Sequence, residues 1–143
     1  SLTATNVIFN VSSWTNYKIG DYANDTNKLY VQNSSGVKVA WFGSAGNVVL
    51  RGTCMNQTSC NNGIANSFKI KNATGSVVAY VNSTGDMCIQ GTTSCQNSDQ
   101  QASCSSPNPS FIITNSTNSE VIVIARTNGN LCLTGYVLEN STP

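Results

Sequence analysis

Residues 67–91 read SFKIKNATGSVVAYVNSTGDMCIQG, three short strands joined by two glycine turns. Phe68-Lys69-Ile70-Lys71 alternates apolar and polar and runs into Asn72-Ala73-Thr74-Gly75. Val77 to Val81 follows, then Asn82-Ser83-Thr84-Gly85, then Met87-Cys88-Ile89-Gln90 closed by Gly91. Runs of β-branched and aromatic residues bounded by Asn/Gly clusters are hairpin signals.

The unit occurs twice more. Residues 28–52 read KLYVQNSSGVKVAWFGSAGNVVLRG, and residues 110–135 read SFIITNSTNSEVIVIARTNGNLCLTG. From Asn33 and from Asn72 alike, glycines fall at +3, +13 and +19 and an alanine at +7. From Asn115 the first glycine is replaced by Asn118, and one inserted residue moves the later glycines to +14 and +20. A period of about 40 residues makes internal repetition the first fact about the fold.

Of 143 residues, 20 are Asn, 34 are Ser or Thr and 11 are Gly, while only 9% are charged, against a usual quarter. Solubility must come from hydroxyls, amides or groups attached to them. A net charge of +1 provides no steering toward nucleic acid or anionic lipid. The longest apolar run, Val121 to Ala125, is too short to span a membrane. Ser1 opens the sequence with neither a charged n-region nor an apolar h-region, so an export signal is expected to have been removed or to lie outside it. A long apolar amino-terminal helix of the type IV pilin kind is missing as well.

Cys54 and Cys60 flank a short loop after the first repeat, and Cys95 and Cys104 flank another after the second. Cys88 and Cys132 both sit three residues before a closing glycine. The expected bridges are Cys54–Cys60, Cys95–Cys104 and Cys88–Cys132, one of 15 connectivities. Free buried thiols and zinc are the alternatives, but zinc needs four close ligands, and both CxxC spacing and His are missing. Disulfides imply an oxidising, extracellular or cell-surface setting.

Residues 1–22 form an amino-terminal arm outside the domain of residues 23–143. In it Val7, Phe9 and Val11 alternate with Ile8, Asn10 and Ser12, a strand with one strongly apolar face. The arm either joins its own sheet or completes the sheet of a neighbouring subunit, with Val7, Phe9 and Val11 as the linking residues. The connectors 53–66 and 92–108 are polar, and Tyr136-Val137-Leu138 makes a last strand. Nothing shows sustained helical spacing. Strands apolar on both parities, such as Val77–Val81 and Val121–Ala125, need cover on both faces. The expected fold is therefore all-β, three meanders in a β-sandwich or closed barrel. A pseudo-threefold trefoil or prism is the alternative.

Eight N-x-S/T sequons occur, at Asn10, Asn24, Asn33, Asn56, Asn72, Asn82, Asn115 and Asn140, where composition alone would yield about five. Placement says more than number: Asn33, Asn72 and Asn115 share the first turn of all three repeats, where a glycan would project into solvent. Asn also suits such turns for its own sake. With no His, the usual general base is missing. The carboxylates Asp21, Asp25, Asp86, Asp99, Glu120 and Glu139 are scattered through turns and linkers, and Asp86 has turn chemistry as its simplest role. No catalytic or metal-binding constellation stands out, and no cofactor is expected beyond covalent N-glycans. Trp14, Trp41, Tyr30, Tyr80 and Tyr136 suggest a sugar-stacking platform. Trp41 and Tyr80 align with Ile124 in the third repeat, which points to packing instead.

The pattern F-x-I-x-N-x-[ST]-G-x-V-V-A-x-V-x-x-x-G-x-[ML]-x-[IL]-x-G resembles the β-meander repeats of exported surface proteins of archaea and bacteria, and the shafts of phage tail fibres. With the arm and dense sequons, the layout is similar to the glycosylated, donor-strand-linked thread filaments of archaea. That resemblance implies a structural subunit of an extracellular, N-glycosylated filament whose partners are copies of itself. A carbohydrate-binding adhesin or tail-fibre-like module, with surface glycans as partners, is the alternative; an enzyme is not expected.

Overall fold

In the computed structural model the described residues are 2–3, 8–10, 17–18, 28–43, 45–61, 67–91, 104, 110–114, 119–125 and 128–143. They contain strands and turns and no helix. The amino-terminal segment supplies β1 (Leu2–Thr3), β2 (Ile8–Asn10) and β3 (Tyr17–Lys18). The first repeat forms β4 (Lys28–Gln32), β5 (Lys38–Gly43) and β6 (Val48–Leu50), and β7 (Cys54–Asn56) lies in the connector. The second forms β8 (Phe68–Lys71), β9 (Val77–Val81) and β10 (Met87–Ile89). The third forms β11 (Ser110–Thr114), β12 (Glu120–Ala125) and β13 (Leu131–Leu133), and β14 (Val137–Leu138) follows.

Each repeat is an antiparallel meander at the heart of its own sheet. The orders are β1-β4-β5-β6-β14, β2-β8-β9-β10-β7 and β13-β12-β11-β3. The sheets are open, so of the two expected solutions the closed barrel is not formed and the sandwich-like packing of sheet on sheet is the class observed. The added edge strands all pair in parallel, β1 with β4, β2 with β8 and β3 with β11 on one side, and β14 with β6 and β7 with β10 on the other. Connector 53–66, expected as a polar loop, thus contributes a strand.

Register places Leu29 opposite Phe42, Phe68 opposite Val81 and Phe111 opposite Ile124. The same registers put Val123, not Ile124, at the position of Trp41 and Tyr80. The extra residue of the third repeat therefore falls in its second turn, where slack in a loop leaves the ladder undisturbed.

All three sheets feed one core, in which Leu29, Val31, Phe42, Leu50, Phe68, Ile70, Met87, Ile89, Phe111, Ile113, Ile122 and Ile124 are almost wholly buried. At its centre Phe42, Phe68 and Phe111, one ring from each sheet, meet edge to face with centroids 5.7–6.0 Å apart. Edge-to-face contact sets the positive rim of one ring against the negative face of the next. In the first repeat the ring comes from the middle strand and its cross-strand partner is Leu29. In the others it comes from the first strand, opposite Val81 or Ile124. Each pair still presents one large and one smaller side chain, as a filled core requires. The apolar outer faces are covered separately, Val77 and Tyr80 beside Cys60 and Cys88, and Ile112 and Val123 beside Cys104 and Cys132.

The recurring glycines mark where one repeat interlocks with another. A Cβ at Gly85 of the second repeat would lie 2.6 Å from the Val39 carbonyl oxygen of the first. At Gly46 it would lie 2.9 Å from the Val121 carbonyl of the third, and at Gly129 2.6 Å from the Val78 carbonyl of the second. The closing glycines Gly52, Gly91 and Gly135 abut Asp86, Asn130 and Asn47 across the same three interfaces, in the reciprocal sense. Gly52 N–H donates to Gly85 O and Gly135 N–H to Gly46 O, both at 3.2 Å. Asp86 Oδ1 accepts the Thr53 N–H and Asn47 Oδ1 the Tyr136 N–H, both at 2.9 Å. Asp86 thus ties two repeats together, a role wider than its own turn.

First turns differ. A Cβ at Gly75, with φ +88°, would meet nothing within 4 Å, whereas Gly85, with φ +84°, is enclosed. Gly75→Ala should therefore cost only the left-handed backbone penalty, about 1 kcal/mol. Gly85→Ala adds steric conflict with Val39 and Arg51, for about 2–4 kcal/mol in total. Chemical denaturation of the two variants measures the gap, and equal losses would contradict the interlock.

Candidate functional site: arm-bearing edges and sequon turns

A meander leaves the outer N–H and C=O groups of its first strand open to another chain. Here the arm meets all three such edges in turn. Leu2 and Thr3 register with Val31 and Gln32, Ile8, Phe9 and Asn10 with Lys69, Ile70 and Lys71, and Tyr17 and Lys18 with Ile113 and Thr114. The strand expected around Val7–Val11 is present as β2, and two further short strands, β1 and β3, lie on either side of it in the arm. Of the expected linking residues, Phe9 lies in β2 opposite Ile70, a core position, while Val7 and Val11 lie outside the described residues. So do the sequons Asn24 and Asn115, and Cys95. Asn10 closes β2 opposite Lys71.

The first turn of the second repeat shows why Asn stands there. Asn72 N–H donates to Ser76 O (2.9 Å) and Gly75 N–H to Asn72 O (3.1 Å). Asn72 Oδ1 accepts the N–H groups of Thr74 and Ser76, both at 3.0 Å, and the Thr74 hydroxyl at 2.7 Å. Asn33 and Asn82 repeat the backbone pattern, their Oδ1 atoms accepting from Ser35 and Val37 and from Thr84 and Asp86. A side chain that satisfies two local donors, followed by a glycine in the left-handed region, is turn chemistry. Asn-x-Ser/Thr-Gly is therefore a structural motif and a sequon at once. Asn56 lies in β7, and Asn140 follows β14 with φ 53°.

The cysteines are oxidised, but the expected pairing is overturned. Cys60 bonds Cys88 and Cys104 bonds Cys132, each across 28 residues. Cys54 is also disulfide-bonded, to a partner outside the described residues, so neither Cys54–Cys60 nor Cys95–Cys104 nor Cys88–Cys132 forms. Cys88 and Cys132 are equivalent residues on the outer faces of different sheets, with the shared core between them. Each instead bonds a cysteine of the connector that precedes its own meander, Cys60 or Cys104, over the apolar outer face. The equal 28-residue spacing was the signal in the sequence.

Among the described aromatics Tyr80 is 4% exposed beneath the Cys60–Cys88 bridge. Trp41 and Tyr30 are half-buried, with Lys38 Nζ 4.0 Å from the centre of the Tyr30 ring. Trp14 lies outside the described residues. The carboxylates also have structural partners, Asp86 as above and Glu139 Oε2 accepting the Cys54 N–H at 2.7 Å, a role that sequence reasoning missed. Among the described residues no three His, Cys, Asp or Glu groups gather as metal ligands, and no helix is long and apolar enough to cross a membrane.

No protein-family model matches the chain, and comparison with curated proteins and with solved structures gave no match.

Proposed function

We propose that this protein is a structural subunit of an extracellular, N-glycosylated filament, polymerising when the amino-terminal arm of one copy adds strands to the next. The observation that carries the reading is the pairing of the arm. Segments outside the three meanders complete the first-strand edge of each sheet through short parallel ladders. Main-chain pairing at an edge is indifferent to which copy supplies the strand. Nine residues, 19–27, separate β3 from β4 and reach at most about 30 Å when extended, comparable with the width of a domain this size. An arm can therefore leave its own domain and reach a neighbour. Burial of Val7, Phe9 and Val11 would contribute several kcal/mol at about 25 cal/mol per Å2, before ordering costs. Disulfides fit an oxidising compartment, and a surface of amides and hydroxyls fits a polymer kept wet by glycans.

Deleting residues 1–14 tests this. The truncated chain keeps the three meanders and their common core, so it should retain its β circular-dichroism spectrum. It should form no filaments by electron microscopy, and a synthetic 1–14 peptide should bind it. Filaments persisting after the deletion would sink the reading.

A further inference from the structure

We infer that the amide nitrogens of Asn72 and Asn82 carry N-linked oligosaccharides and that Asn56, although a sequon, does not. The inference rests on the glycoprotein reading above and names the sites the fold leaves open. Glycosylation transfers a sugar to Nδ2 and leaves Oδ1 a carbonyl, so an asparagine can serve both turn and glycan only if its oxygen holds the turn and its nitrogen is unengaged. Asn72 meets both conditions. Its Oδ1 takes three donors, its Nδ2 donates to nothing among the described residues, and Ala73, Thr74 and Gly75 are exposed. At Asn82, Oδ1 accepts from Thr84 N–H (3.1 Å), Asp86 N–H (2.9 Å) and the Thr84 hydroxyl (2.9 Å). Ser83 and Thr84 beside it are exposed. In both turns the sequon threonine already touches the asparagine amide, so the acceptor geometry exists in the folded chain.

Asn56 is arranged the other way round. Its Nδ2 donates to Gly91 O at 2.7 Å, joining β7 to the closing glycine of the second repeat. A sugar replacing the hydrogen that makes this bond would break the tie to Gly91, so the fold opposes modification there. In the transfer itself, a lipid-linked oligosaccharide diphosphate serves as donor. The Nδ2–C1 bond forms as the C1–O bond to phosphate breaks, the lipid diphosphate leaves with the bonding pair, and Nδ2 loses one proton.

Glycopeptide mass spectrometry on the native protein reads the result. Peptides holding Asn72 and Asn82 should be glycosylated and the Asn56 peptide bare. Thr74→Val and Thr84→Val should each remove one glycan mass while sparing the backbone bonds to Asn72 and Asn82. Asn72→Asp, which keeps the acceptor oxygen, should remove the same mass as Thr74→Val, and Asn56→Asp should remove none. A modified Asn56, or bare Asn72 and Asn82 peptides, would overturn the inference, whether or not filaments form. Glycans at Asn72 and Asn82 on a protein that makes no filaments would uphold it while refuting strand donation.

Discussion

Phe68→Ala is expected to destabilise the protein by about 3–5 kcal/mol, the range for removing a fully buried aromatic ring. Phe68 is 1% exposed and touches both other rings of the central triad, so truncation removes two edge-to-face contacts as well as buried area. Each such contact adds about 0.5–1.5 kcal/mol beyond burial. The remaining rings come from different sheets and are held by their own ladders, so the cavity cannot easily collapse. Phe68→Leu should lose much less, about 1–2 kcal/mol, because Leu29 already occupies that register position in the first repeat. It does so with Phe42 opposite, whereas Phe68 faces the smaller Val81. Urea denaturation of the two variants is the measurement. A Phe68→Ala loss below that of Phe68→Leu would show that the triad is not the centre of the core.

The second large effect is loss of a cross-link. Replacing Cys60 and Cys88 together by serine should cost about 3.5 kcal/mol, from releasing a loop closed across 28 residues at the chain-entropy scale. Further loss is expected because the bridge lies over Val77 and Tyr80, which water would reach once the connector lifts. Thermal unfolding of the double variant, with and without reductant, separates the contributions. The variant should melt well below the oxidised parent and fall further in reductant only by the share of the bridges it keeps, Cys104–Cys132 and that of Cys54, and a melting temperature equal to the parent's would contradict the covering role. Cys104 with Cys132 makes the equivalent test on the third sheet. The first repeat has Val49 at the position of Cys88, so its outer face has no such bridge through β6.

The local part of this architecture was legible because it depends on neighbours in the chain. Asn, Thr and Gly at fixed offsets determine a turn through bonds spanning four residues, and strands of alternating or wholly apolar character follow between them. That sufficed for the three meanders, the all-β class and the place of Asn33, Asn72 and Asn82 at turns. The interlock was visible only as an unexplained regularity. Glycines at +13 recur because carbonyls of another repeat come within 3 Å of where a side chain would begin. No spacing within one repeat reveals that approach.

What the sequence by itself determined, then, is the unit, its number and its turns, since these are settled by contacts a few residues apart. Only the tertiary structure decided how the units face one another. Packing three apolar faces onto one core brings Phe42, Phe68 and Phe111 together. It carries Cys88 and Cys132, alike in sequence, to the outer faces of different sheets, where each finds a cysteine of the connector that precedes its meander. It also pairs the arm with first strands far away in the chain. Main-chain edges accept any strand of suitable geometry, so that pairing depends on which edges the packing leaves open and not on the local sequence of either partner.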